Sequence, residues 1–204
     1  LASQQLAVLT TDQLQALQPE QWGALGSAQI GGFSSNQLGS LTPEALQSLD
    51  PKAVAGLLTR QIAALSPEQV QALTAEQLSA LKTAQLQSLN SEQLNALNAE
   101  QFSGLSSSQI AGLRPAQISA LETEDLAALS LSAIRGLGSQ QIAALTGEQL
   151  RVLSNDQLSV LNSRQLAGLS TQQVGELTPA DIAELSTAAL RGMRVQPLQQ
   201  LSAD

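Results

Sequence analysis

The chain has no cysteine, no histidine and no tyrosine, and its 204 residues include one Trp, two Phe and one Met. The first two absences remove disulfide frameworks, zinc-finger spacings, c-type haem attachment and every His-based catalytic triad. A Cys-free chain is compatible with an oxidising exterior. Basic residues are also scarce: nine Lys and Arg face seventeen Asp and Glu, for a net charge of -8. That sign is wrong for a surface that tracks phosphates or anionic lipid, so nucleic acid is not an expected partner. No apolar run approaches the roughly 18 residues of a membrane span. The opening LASQQLAVLT has no basic n-region of a signal peptide, and no membrane insertion is expected. Residue 1 is Leu and already fits the pattern described next, which suggests a fragment of a longer chain.

What is present is a repeat of eight. Stepping from Leu1 in eights, every position to Leu201 is Leu except Phe33 and Met193. A second ladder, from Leu6 through Trp22, Val70, Phe102 and Ile142 to Leu198, holds only Leu, Ile, Val, Phe or Trp. Loops tolerate length changes at small free-energy cost, so spacing that never slips means that each octad occupies an equivalent place. A continuous helix turns about 100° per residue, so a stripe of period eight would wind around it, and a coiled coil is rejected. Odd steps between the ladders and abundant Gln, Ala, Glu and Leu argue against strands.

The local chemistry specifies short helices. In LSPEQVQAL, residues 65–73, Ser66 is an N-cap and Pro67 takes the first helical position, where a missing N–H costs nothing. Gln69 can reach back to the Ser66 N–H, and Leu65 with Val70 forms a hydrophobic staple. Six of the seven prolines, at 19, 43, 51, 67, 115 and 179, share that first position. Ala, Gly or Ser precedes the ladder residue in nineteen octads, which allows close backbone approach and an easy helix stop. A helix this short is unstable alone, so stacked neighbours must stabilise it.

The expected fold is therefore all-α: a solenoid of about 25 octapeptide repeats, each a very short helix plus a corner. Pro, Gly and the charged residues show no secure superperiod of two or three octads; two octads per coil are preferred, with three as the alternative. A single continuous domain is expected, regular over 1–192. Residues 193–204 form a degenerate repeat or cap, where Pro197 replaces the third-position Gln and Gln200 a small residue.

Candidate chemistry is sparse. Gln fills the third helical position in eighteen octads, for example Gln13, Gln61 and Gln77, which fits capping plus side-chain hydrogen bonds between coils. Adjacent hydroxyls (Thr10 with Thr11, Ser34 with Ser35, Ser106 with Ser107) could form a face suited to ordered water or glycan, but capping explains the first of each pair. Glu122, Glu124 and Asp125 form an acidic cluster that lacks the Gly-containing loop of a selective calcium site, so a solvated face is expected. Trp22, Phe33 and Phe102 fall on the ladders and read as core. No catalytic, cofactor-binding or metal residue and no cofactor is assigned, and an enzyme is not expected.

Two resemblances accompany this reading. LSPEQVQAL and LTPEALQSL resemble the opening LTPxQV segment of TAL effector repeats over about six residues, without that family's longer period or basic stripe, which reflects shared helix-start chemistry. More extensively, the TxEQLxAL and SxxQIAALT strings, at 61–68, 117–121 and 141–150, resemble octapeptide arrays of very large bacterial surface or exported proteins. That resemblance implies an extracellular or cell-surface structural or adhesive role. The expected function is a stalk, spacer or filament-forming module, whose partners are neighbouring repeats of the parent chain or copies of itself. The alternative is a scaffold binding a protein along one face, which the scatter of Arg over octad positions disfavours.

Overall fold

A computed structural model describes residues 3–193, and all of its regular secondary structure among those residues is helical. Twenty-four helices of four to six residues follow one another, numbered in chain order from α1 (Ser3–Leu6) to α24 (Thr187–Leu190). Each occupies one octad. The cap drives the start: in α9 (Pro67–Gln71) the Ser66 Oγ accepts the Gln69 N–H at 3.2 Å, and Gln69 Oε1 accepts the Ser66 N–H at 3.0 Å. Both staple residues, Leu65 and Val70, are buried.

The corner is built without a left-handed residue. Ala72 ends α9 at φ -71° and ψ -18°, after which the Leu73 N–H donates to the Val70 carbonyl at 3.2 Å and the chain extends into the next cap. No described residue, glycine included, has positive φ. The small residues thus end the helices without an αL conformation. They are needed for close approach. A Cβ on Gly56 would lie 2.3 Å from the Ser27 Cβ, and one on Gly168 would lie 2.3 Å from the Ser139 carbonyl oxygen.

The chain divides into two contact units, Leu1–Gly104 and Leu105–Asp204. Within the first, each helix packs on the helix three places along: α3 (Pro19–Gly23) on α6 (Pro43–Gln47), α6 on α9, and α9 on α12 (Ser91–Asn95). In the second, α15 (Pro115–Ser119) packs on α18 (Ser139–Ala144), α18 on α21 (Ser163–Leu166), and α21 on α24. Three octads therefore make one coil in each unit, and the preference for two is corrected. The spacing was present in the sequence: Pro19, Pro43, Pro67 and Pro115 are separated by multiples of 24, as are Glu20, Glu44, Glu68 and Glu92.

Both ladders form the interior of each unit. The second ladder is almost completely buried, with Leu38, Leu78, Phe102 and Ile142 at 0% exposure, and the Leu ladder is nearly so. Trp22 and Phe33 are buried with ring centroids 6.1 Å apart in a tilted arrangement, so the aromatics are core, as expected. Met193 is buried in the Leu ladder, while the expected degenerate repeat beyond it lies outside the described residues.

Candidate functional site

The chemistry of this fold is concentrated in the third-position glutamines. Gln77, in α10 (Ala75–Ala80), is 1% exposed. Its Oε1 accepts the N–H of the cap residue Thr74 at 2.9 Å. Its Nε2 donates to the carbonyl oxygens of Leu46, Gln47 and Leu49 at 2.8, 3.3 and 2.7 Å. Those carbonyls end α6 and lead out of it, where a helix has orphan acceptors. One amide thus completes the start of one helix and the end of another in the preceding coil.

The same offsets recur. Gln69 donates to Leu38, Gly39 and Leu41, and Gln93 to Ile62, Ala63 and Leu65 in the first unit. In the second unit Gln149 donates to Ile118, Ser119 and Leu121, and Gln173 to Ile142, Ala143 and Leu145. Only an amide side chain of this length offers an acceptor and a donor pair in fixed geometry, because Glu lacks the donors and Lys lacks the acceptor. The amide ladder expected from the sequence is therefore a tie between coils.

The acidic cluster is not what its sequence implied. Glu122 and Glu124 are exposed, but Asp125 occupies the third position and is buried at 7% exposure. Its Oδ2 has no hydrogen-bond partner. Burial, reinforced by the charges of Glu122 and Glu124, pushes its carboxyl up to about 6. A solvated face thus describes two of the three carboxylates. Among the described residues no group of three or more acidic side chains is placed to hold a metal ion.

The hydroxyl pairs resolve into separate roles. Thr10, Ser34 and Ser106 accept the N–H of Gln13, Gln37 and Gln109, which is capping. Their neighbours Thr11 and Ser35 share one register with Thr59 and Thr83, each 24 residues from the next, so the first unit presents one hydroxyl per coil there. No helix among the described residues is long and apolar enough to cross a membrane. A shallow cleft between α3 and α6 is lined by Leu17, Pro19, Trp22, Leu41, Thr42 and Glu44.

Two tandem segments, residues 75–107 and 118–155, match the family model of the ALTTAQ repeat. The first contains the string ALKTAQ at 80–85, which in this fold reads as small residue, ladder Leu, cap, two helical positions and tie glutamine. No curated protein matches the chain. The chain is a structural repeat protein, an octapeptide array with an all-helical solenoid fold.

Proposed function

We propose that this array is a stalk, spacer or filament-forming segment of a bacterial surface or exported protein, without catalytic activity of its own. The glutamine tie carries the reading. The buried polar groups that recur through the array serve to join one coil to the next, and successive coils repeat that joint rather than converging polar groups on one place. A chain built this way gains one equivalent coil for each 24 residues added. The absence of Cys is compatible with an oxidising exterior, and the acidic balance suits a solvated surface.

The test is protease shaving of intact source cells, with an antibody raised against this segment. Loss of the epitope on intact cells supports the surface reading. An epitope degraded only after lysis, and absent from the medium, contradicts it.

A further inference from the structure

In each unit one of the three helix stacks carries charge of a single sign, while the other two carry both. In the first unit the stack α3, α6, α9 and α12 carries Glu20, Glu44, Glu68 and Glu92, all exposed, and its octads contain no Lys or Arg. These glutamates occupy the same helical position in successive coils. In the second unit the stack α15, α18, α21 and α24 carries Arg114, Arg164 and Arg191, all exposed, and its octads contain no Asp or Glu. A chain of net charge -8 thus keeps one stack purely basic.

Among the described residues none of these seven groups makes an ion pair, and the one ion pair joins Arg151 to Glu176, on a different stack. The glutamates, repeated at helix-to-helix spacing of about 8–10 Å, repel one another across roughly one Debye length at physiological salt, whereas the arginines stand at three different octad positions in the octads of α15, α21 and α24. Self-capping does not explain Arg114, which occupies a cap position without a side-chain cap bond; its Nε donates to the neutral Gln117 Oε1 at 3.3 Å. Beside Glu44 the acidic stack also has the cleft floored by Trp22 and Pro19. Such a cleft accepts the aliphatic stem of an arginine while a carboxylate at its rim meets the guanidinium.

We propose that the glutamate stack of the first unit is a docking surface for the arginine stack of the second unit in another copy of this chain. The interaction is lateral and electrostatic, and it goes beyond the spacer reading without depending on it. Charge complementarity selects this occupant: the chain itself supplies a stack that carries only basic charge and no carboxylate, although its arginines do not share one octad position.

Sedimentation velocity on the intact chain, between about 20 mM and about 500 mM salt, reads the contact directly. The expected result is a mass that rises with concentration at low salt and returns to monomer at high salt. Two charge-reversed proteins complete the test, one carrying Arg114→Glu, Arg164→Glu and Arg191→Glu, the other Glu20→Arg, Glu44→Arg, Glu68→Arg and Glu92→Arg. Each alone is expected to be monomeric at low salt, and an equimolar mixture is expected to associate, since each then supplies the surface the other lacks. All seven positions are exposed, and helical circular dichroism checks that the variants fold. A wild type that is monomeric at every salt, an association that survives high salt or persists in either variant alone, or a mixture of folded variants that fails to associate would each overturn the proposal.

Discussion

Replacing the tie glutamine by its acid isolates the donor half of its work. In Gln77→Glu the side chain keeps its length and its acceptor for the Thr74 N–H, but it brings carboxylate oxygen to the carbonyls of Leu46 and Leu49, now 2.8 and 2.7 Å from Nε2. The lost bonds cost about 1 kcal/mol each, and a buried charge aimed at carbonyl dipoles adds on the order of 1–3 kcal/mol. The expected destabilisation is about 3–5 kcal/mol at pH 8. The site raises the pKa of the introduced carboxyl above its unfolded value, so the penalty is complete above the folded value and fades as the pH falls. Protonation also restores one donor. Urea unfolding followed by circular dichroism at pH 8 and pH 5 should show the variant recovering part of the loss, while Gln77→Ala loses about 2–3 kcal/mol at both. A Gln77→Glu protein within about 1 kcal/mol of wild type at pH 8, or one with no recovery at pH 5, refutes the donor role.

Asp125→Gln should stabilise the chain by about 2–3 kcal/mol at pH 7, because a folded value of about 6 against an ordinary 3.8 makes wild-type stability fall as pH rises through that window and stay level above it. The gain should shrink below about pH 4, and a difference between the two proteins that ignores pH would contradict the assignment. Gly168→Ala should cost about 1–3 kcal/mol, since its Cβ meets the Ser139 carbonyl oxygen, whereas Gly175→Ala, with nothing within 4 Å, should be neutral or slightly stabilising by thermal melt. Leu58, exposed and without a side-chain cap bond, should accept Leu58→Ser with a gain of about 0.5–1.5 kcal/mol in urea unfolding.

The octad, its caps and its core were legible because each rests on residues close in sequence. Ser66, Pro67 and Gln69 announce a helix start whatever lies elsewhere, and the staple of Leu65 and Val70 follows from the same turn. The number of octads per coil is a long-range property, yet it had a trace. Pro19, Pro43 and Pro67 repeat at 24, each opening a helix of one stack, and Glu20, Glu44, Glu68 and Glu92 repeat beside them. Read together the two rows point to three; weighed with every Pro and charge in the chain, the signal was diluted. Asp125 was misplaced for a different reason. As a neighbour of Glu122 and Glu124 it looked like surface, whereas its octad position, the one held by Gln69 and Gln77, is buried. The donor half of the glutamine tie could be anticipated only in outline, since its carbonyl partners lie 28 to 31 residues away and depend on the coil count.

The coil itself is tested most directly by distances between equivalent positions in the first unit, and the Cys-free chain makes the labelling clean. Glu44, Arg60 and Glu68 all occupy the second helical position of their octads. Spin labels on Glu44→Cys with Glu68→Cys are expected to report stacked neighbours, one helix-to-helix spacing of about 8–10 Å apart at the backbone. Labels on Glu44→Cys with Arg60→Cys should report a longer distance, across two sides of the coil. A 44–60 distance shorter than the 44–68 distance would mean two octads per coil and would contradict the account.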